Sequence, residues 1–298
     1  MRKSPLAVLI IGSVAWDEVI YLPGALRAGA HNAGRPMGIR IGGGAANTAM
    51  ALAIMPSLQS REHPRAEPIV VSAVGEDAQG MQLLDTLREL GVHVDRIRRQ
   101  GRETTRSLVL LDKSGERTVI NLARAPLPLP ADLVDIPADC CYVRSADPAL
   151  TPILKERVRK GPVIAHIPPI TDGFRPARIL VGSASDLDDD FLRDPFPAGQ
   201  RVAGDVLEWV VITSGADGAT AYGDGLSLRK PAPRVPVRDT TGAGDVFAAG
   251  LAFALALGKD MPAALETAVS WGSASARYQG TIPKRDCFLH EIASRGPA

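Results

Sequence analysis

The chain of 298 residues is 45% hydrophobic and carries a formal net charge of +1. This length and apolar content suffice for one large domain with a core of several layers, and they exclude an intrinsically disordered protein. Because the net charge is close to zero, there is no electrostatic basis for a nucleic-acid or membrane partner, and we expect neither.

The amino terminus and the cysteines bear on the compartment. The start "MRKSPLAVLIIGSVAW" imitates a signal peptide, but its apolar run is short, and we interpret it as a buried first strand that reaches a polar end at Asp17. No other apolar stretch approaches the about 20 residues of a membrane-spanning helix. Cys140 and Cys141 are adjacent and Cys287 is remote, which is a poor disulfide framework. We therefore expect a cytoplasmic protein.

Short apolar runs rich in Val and Ile predict buried strands. They do not alternate with polar residues, which is typical of parallel strands covered on both faces. The runs lie at 7–12, 68–75, 162–167, 177–183 and 209–215.

Segments with helical spacing lie between these strands, and two of them end before Gly91 and Gly161, as a carboxyl-terminal cap predicts. The helical segments are 45–55, 78–90, 148–160, 245–257 and 261–278. Strands that alternate with helices predict a single domain over 1–298, built as a three-layer α/β/α sandwich around a mainly parallel sheet.

Two segments break the alternation. Residues 17–41 contain short apolar pieces separated by Gly and Pro, and residues 101–122 read as a hairpin around the turn "DKSGE". Their strands alternate in part, so one face is expected to be wet or to cover a ligand. We predict that they form a small β-lid beside the main domain, and that the proline-rich stretch 124–137 is a connection.

The stretch "VRDTTGAGDVFAAGLAFALALG" joins a polar loop to an apolar helix. Gly242 and Gly244 allow unusual backbone angles, and the first free N–H groups of the helix would point into the loop with the positive end of the dipole behind them. Such a loop can hold a phosphate. Asp245 would repel a phosphate but could accept the proton of an attacking hydroxyl. The alternative is a plain glycine turn with a carboxylate at a helix start.

With this stretch the sequence resembles the ribokinase-like carbohydrate and nucleoside kinases, also called the PfkB family. "DTTGAGDVFAAGLAFAL" is similar to the family's carboxyl-terminal signature, and three further motifs follow the family's order. These motifs are "IGGGAANTAMALA" at 41–53, "AVGEDAQG" at 73–80 and "VVITSGADGA" at 210–219. The resemblance covers nearly the whole chain.

The resemblance implies a role for particular residues. The backbone of Gly242, Ala243 and Gly244 would form an anion hole for the transferring phosphate, and Asp245 would be the catalytic base. The sugar would contact Asp17, Gly42, Gly43 and Asn47, and ATP would lie near Thr213, Gly215 and Gly244. Asp17 was also expected at the carboxyl edge of the sheet, directly after the first strand, where α/β proteins place ligands.

Structural alternatives stay open at several of these positions. Asn47 could cap a helix, Asp77 could be a surface turn residue and Thr213 could satisfy a strand end. In relatives the equivalents of Asp239 and Thr241 help to hold a monovalent cation such as K⁺, and the alternative here is helix capping.

The middle of the chain departs from the family pattern. Relatives carry Asn-x-x-Glu after a middle strand, whereas this chain has Ser183-Ala-Ser-Asp186, and His166 stands where relatives often have an aspartate. Asp186 could orient a magnesium-bound water, or with its acidic neighbours it could be a solvated helix start.

The resemblance implies an ATP- and Mg²⁺-dependent kinase that phosphorylates a hydroxymethyl group of a sugar, with a homodimer through the lids as a family-typical assembly. A nucleoside kinase and a sugar-binding sensor that has lost turnover are alternatives. A dinucleotide-binding oxidoreductase is a third, since "IRIGGGAAN" approaches the Rossmann fingerprint, but Asn47 occupies its third glycine position.

Overall fold

The computed structural model describes residues 5–59, 64–113, 117–167, 174–278 and Gly280. Its strands are β1 (Leu6–Ile11), β2 (Ala15–Leu22), β3 (Arg35–Gly42), β4 (Ala66–Val74), β5 (Ile97–Arg99), β6 (Arg106–Asp112), β7 (Arg117–Ala123), β8 (Cys140–Val143), β9 (Val163–His166), β10 (Ile179–Ser183), β11 (Trp209–Thr213), β12 (Ala219–Gly223) and β13 (Leu226–Lys230). Its α-helices are α1 (Gly44–Gln59), α2 (Ala78–Glu89), α3 (Thr151–Lys160), α4 (Asp189–Arg193), α5 (Pro195–Ala203), α6 (Ala243–Ala256) and α7 (Met261–Ser275).

Within these described residues, nine strands form the main sheet in the order β13-β12-β11-β10-β9-β8-β1-β4-β5. All neighbouring pairs from β11 to β5 are parallel, and β12 and β13 add an antiparallel edge. Parallel strands bring their carboxyl ends to one edge of the sheet, which is where ligands bind in open α/β folds. The predicted mainly parallel sheet is confirmed.

The side chains of the central strand β1 divide between two cores. Leu6, Val8 and Ile10 point into a cluster with α1, α2, α6 and α7. Leu9 and Ile11 point into a second cluster with α3 and α5 on the other face. Because both faces of β1 are covered, its residues read as a continuous apolar run, and the three-layer α/β/α architecture is confirmed.

Four strands from the two predicted lid segments form a separate sheet in the order β3-β2-β6-β7. Its central pair, β2 and β6, is parallel, and both outer pairs are antiparallel. We call this sheet the lid sheet. Its last residue on β3, Gly42, leads directly into α1, so the lid sheet is joined to the first helix of the main domain.

Several details differ from the sequence expectations. The unpredicted elements are the strands β5 and β8, the hairpin β12–β13 and the helices α4 and α5, because short runs and runs of mixed polarity give little periodic signal. Residues 148–150 form a 3₁₀ turn before α3 begins.

Another difference concerns Asp17, which does not follow the first strand. β1 ends at Ile11, and Asp17 lies on β2 in the lid sheet. The break between β1 and β2 is not apparent in the sequence, because Val14 and Ala15 are apolar and as buried as the residues of β1.

The expectations about membrane-spanning helices and about the cysteines can be compared with the described residues only. No helix in the described part of the chain is long and apolar enough to cross a bilayer. Cys140 and Cys141 are buried free thiols on β8, whereas Cys287 lies outside the described residues.

Candidate active site

A cleft of about 460 Å³, measured out to its open mouth, lies at the carboxyl edge of the main sheet. Successive strand ends supply its floor, and the start of α6 supplies one wall. The lining residues are Arg117, Arg144, His166, Val181, Gly182, Ser183, Asp186, Thr213, Gly242, Gly244 and Asp245.

The first glycine loop, residues 42–44, is packed against its surroundings at every position. A Cβ on Gly42 would lie 1.9 Å from Oδ2 of Asp17, and one on Gly43, which has φ +85°, would lie 2.5 Å from the carbonyl oxygen of Ser13. A Cβ on Gly44 would lie 2.4 Å from Cγ of Arg144. These glycines therefore make room for the chain's own groups, and Gly42 in particular seats the Asp17 carboxylate.

Asn47 and Asp245 are joined directly, although 198 positions separate them in the sequence. Nδ2 of Asn47 donates to Oδ2 of Asp245 at 2.8 Å, and the hydroxyl of Thr48 donates to the backbone carbonyl of Asp245 at 3.3 Å. Asn47 is buried, and its Oδ1 has no hydrogen-bond partner among the described residues. A buried acceptor without a partner beside a buried carboxylate is suited to a ligand with two neighbouring hydroxyls, one of which donates to Oδ1 of Asn47 while the other gives its proton to Asp245.

Arg144 is the main site residue that the sequence analysis missed. It follows β8 directly, and its Nε lies 3.4 Å from Oδ1 of Asp245. Its Nη1 lies 2.9 Å from Nδ1 of His166. A polar residue directly after a buried strand is the signal that was applied to Asp17, but β8 is not among the predicted strands, so this signal could not reach Arg144.

His166 is neutral in this setting. Burial lowers the pKa of its imidazole well below the usual value, and the charges of Arg144, Arg175 and Arg117 lower it further. Because a guanidinium can only donate, Nδ1 accepts and the ring proton sits on Nε2. His166 thus holds Arg144 in place without competing for its charge.

The second glycine loop, residues 242–244, differs from the first in that open space lies beside one of its glycines, Gly244. Gly242 has φ +76° and precedes α6, and a Cβ on Gly244 would meet nothing within 4 Å. The N–H of Ala243 donates to the carbonyl of Thr240 at 3.1 Å, whereas the N–H groups of Gly242 and Gly244 have no backbone acceptor in the described parts of the chain. These two N–H groups and the helix dipole leave a position for an anion.

Comparison with known proteins identifies the family. The sequence matches the family described as "pfkB family carbohydrate kinase" over residues 6–148 and 193–286. The chain belongs to the pfkB family of carbohydrate kinases. The resemblance found in the sequence is confirmed, and with it the prediction of an ATP-dependent carbohydrate kinase.

The relatives cover nearly the whole kinase. The ribokinase of Bacillus subtilis is 28% identical over 306 residues, which cover 94% of this chain and 97% of its own. The structure of an Arabidopsis thaliana ribokinase complexed with ribose and ATP aligns with a TM-score of 0.71 at 22% identity, covering 96% of this chain and 98% of that one. A Burkholderia thailandensis nucleoside kinase complexed with inosine aligns with a TM-score of 0.71 at 19% identity over 97% and 98% of the two chains.

Asp17 lies over the first glycine loop of the kinase, half-buried. Burial raises the pKa of its carboxyl; a hydrogen bond with Ser107 opposes this, and the nearby charge of Asp245 adds to it. Two carboxylates at one site favour a ligand with several hydroxyl groups over an anionic ligand, because each carboxylate can accept from a different hydroxyl and neither repels it.

Asp239 does not fit a bound monovalent cation. Its Oδ1 accepts from the N–H of Thr241 at 2.9 Å, and its Oδ2 accepts from Nη1 of Arg40 and from the N–H of Gly280, both at 2.9 Å. Burial would raise the pKa of the Asp239 carboxyl, but these hydrogen bonds together hold it below its usual value. A guanidinium is therefore already bonded to the carboxylate that was expected to hold the cation.

The altered middle motif, residues 183–186, offers few side chains that could bind a metal ion. Asp186 is exposed, lies in the 3₁₀ turn after β10 and lines the cleft, whereas the carboxylate of Asp188 caps α4 by accepting from Phe191. In the described residues there is no cluster of three or more His, Cys, Asp or Glu side chains that could hold a metal ion. Asp186 alone could bind Mg²⁺ through a water, with the phosphates of ATP as the other ligands.

The two residues expected near ATP differ in placement. Thr213, at the end of β11, lines the cleft beside Gly244, and its hydroxyl donates to the carbonyl of Gly182 at 3.3 Å. Gly215 begins an exposed 3₁₀ turn with φ +54° and is outside the lining of the cleft.

The motif around Asp77 holds the scaffold together. The Asp77 carboxylate caps α2 by accepting from the N–H of Gly80 at 2.8 Å, and it also accepts from the N–H and the hydroxyl of Thr104. A Cβ on Gly75 would lie 2.4 Å from the backbone of Thr104. This motif fixes the segment that leads into β6 of the lid sheet, which agrees with the structural alternative for Asp77.

Proposed function

We propose that this kinase transfers the γ-phosphoryl group of ATP to a hydroxymethyl group of a sugar, with Asp245 as the general base. The observation that carries the proposal is the buried hydrogen bond of 2.8 Å between Asn47 and Asp245. It brings the motif assigned to the sugar and the motif assigned to the phosphate to one point, with an acceptor on each side chain.

The proton of the attacking hydroxyl passes to Asp245. Asn47 holds Oδ2 of Asp245 and Arg144 lies on the side of Oδ1, so the carboxylate has a fixed orientation toward the cleft. A positioned base of this kind contributes about 10²- to 10⁴-fold to the rate. Oδ1 of Asn47 accepts a second hydroxyl of the same sugar, which selects an acceptor with neighbouring hydroxyl groups.

The transferred phosphoryl group lies over the second glycine loop. ATP would supply this group, and Mg²⁺ held through Asp186 would neutralise part of the negative charge of its phosphates. The N–H groups of Gly242 and Gly244 donate to it, and the open space beside Gly244 admits its oxygens. Arg144 faces the same space from the other side, where its positive charge stabilises the negative charge of the transition state.

The lid sheet favours a sugar over a nucleoside. Of the two aromatic residues near Asp17, Trp16 donates its Nε1–H to the carbonyl of Gln79 at 3.0 Å and packs on the core. Tyr21 lies under the guanidinium of Arg35, 5.8 Å from the ring centroid. Both rings are engaged, so neither is free to stack on a base.

We also propose that the kinase forms a homodimer through the lid sheets. Ile39, Ile120 and Leu122 lie on one face of this sheet by the strand register and are 64%, 43% and 50% exposed, so they form an apolar patch that a second copy could cover. Light scattering should give the mass of two chains for the wild type and of one chain for Ile39→Glu. A single-chain mass for the wild type would contradict the dimer.

The test of function is a coupled assay of ADP release over a panel of sugars, sugar phosphates and nucleosides. We expect turnover with a sugar that has a free hydroxymethyl group, and a fall of about 10³-fold or more for Asp245→Asn with an unchanged melting temperature. Near-normal turnover of Asp245→Asn would show that Asp245 is not the general base. Ligand binding without turnover by the wild type would favour the sensor.

A further inference from the structure

Arg40 lies on the lid strand β3, far in sequence from the second glycine loop, yet its guanidinium bonds to Asp239, three positions before that loop. Its Nη1 lies 2.9 Å from Oδ2 of Asp239, across 199 positions of sequence. The side chain of Asp239 is 6% exposed and that of Arg40 is 21% exposed. This ion pair is among the most buried that the described residues form, in contrast to the solvated pairs of helix surfaces such as Arg88–Asp85.

The carboxylate of Asp239 has no free side for an external cation. The N–H of Thr241 donates to Oδ1 of Asp239, and both the guanidinium of Arg40 and the N–H of Gly280 donate to Oδ2. A guanidinium has five N–H donors and no acceptor, so it cannot serve as a ligand and repels any cation that approaches the same carboxylate. Arg40 and a bound monovalent cation are therefore mutually exclusive at Asp239.

We propose that Arg40 is a built-in cation that takes the place of a monovalent ion beside the second glycine loop, so that this kinase works without K⁺. Asp239 stands three positions before Gly242, and Arg40 stands two positions before Gly42. The pair therefore places a guanidinium at the segment that leads into the second glycine loop and ties strand β3 to that segment. The prediction of K⁺ at Asp239 and Thr241 is replaced by this arrangement.

The first measurement is independent of catalysis. Thermal unfolding is followed for the wild type, Arg40→Met, Arg40→Lys and the surface control Arg88→Met, in potassium chloride and in choline chloride at equal ionic strength. Met keeps most of the apolar stem of Arg40 but frees Oδ2 of Asp239, whereas Lys keeps the charge. We expect K⁺ to raise the melting temperature of Arg40→Met by several degrees over choline and to leave the other three proteins unchanged.

Two outcomes would overturn the proposal. One is a saturable stabilisation of the wild type by K⁺ over choline, which would show a cation site alongside Arg40. The other is an Arg40→Met protein whose melting temperature is the same in both salts, which would show that Arg40 occupies no ion position.

The second measurement rests on the proposed function. With a sugar acceptor found in the panel, kcat of the wild type should agree within about twofold between the two salts, and Arg40→Met in choline should fall by about tenfold or more. A wild type that needs K⁺ for turnover would also refute the proposal. If the unfolding results come out as expected while no acceptor is turned over, the proposed function fails and the built-in cation stands.

Discussion

The two glycine loops of this kinase both lead into an apolar helix, but their surroundings differ. In the first, at residues 42–44, each glycine lies under a group of the protein itself: a carboxylate, a backbone carbonyl and an arginine stem. In the second, at residues 242–244, the exposed Gly244 faces open space. Glycines of similar appearance in the sequence thus serve packing in one loop and access for a ligand in the other.

Arg144 is where the two loops meet, since its stem packs on Gly44 and its Nε lies beside Asp245. Replacing it with Met keeps the packing and removes the charge at the proposed phosphoryl position. We expect kcat to fall by about 100-fold or more with a smaller change in KM for the sugar, as for the loss of a transition-state contact.

Arg144→Lys is the matched variant, because it keeps the charge and loses the bond to His166. It should recover part of kcat. If Arg144→Met instead raises KM alone, Arg144 binds the acceptor. It then does not stabilise the phosphoryl group during transfer, contrary to our expectation.

Paired alanine variants measure the difference between the loops directly. Gly42→Ala forces a methyl group into the Asp17 carboxylate, and we expect the free energy of unfolding to fall by about 1–3 kcal/mol. Gly244→Ala meets no atom of the protein, so the free energy of unfolding should change by less than about 0.5 kcal/mol. Urea unfolding of both variants provides the comparison.

The activities of the same variants should not follow their stabilities. Gly244→Ala should lose at least about tenfold in kcat, because its methyl group fills the space proposed for the phosphate oxygens. A Gly244→Ala enzyme that is both stable and fully active would show that the open space holds no part of the substrate.

Asp17 offers the smallest expected effect. Because its pKa is raised in the folded state, the ionised carboxylate is destabilising there, and Asp17→Asn should raise the free energy of unfolding at pH 7 by about 0.5–1 kcal/mol. This gain should shrink as the pH falls toward the unfolded pKa of about 3.9, below which both states are protonated. Affinity for the sugar should fall in the same variant.

Denaturant unfolding of wild type and Asp17→Asn at several pH values checks the sign of this effect. A gain in stability that grows on acidification would mean that the carboxylate is favourably held in the fold, contrary to our interpretation.

How much the sequence could predict depended on whether the signal was local. The runs at β4 and β11 are apolar because both faces of the sheet are covered, so a parallel sheet could be predicted from them. The turn before α6 could be predicted as well. The left-handed backbone at Gly242 and the free N–H groups at the helix start depend only on a few adjacent residues.

Contacts between distant segments could not be predicted in this way. The pairing of Arg40 with Asp239 depends on where the lid sheet meets the second glycine loop, and nothing near either residue encodes it. Arg144 was missed for a similar reason, since β8 is short and its role depends on Gly44 leaving room a hundred positions earlier.

The bond between Asn47 and Asp245 also sets an order of events during synthesis. The ribosome delivers Asn47 early and Asp245 near the end, so the growing chain holds its sugar-side motif long before the proposed base exists. Helix α6 must then pack against α1 to bring the two together. The packing of α6 on α1 and the assembly of the proposed centre are therefore one event, and a chain that lacks α6 has no competent centre with which to hydrolyse ATP.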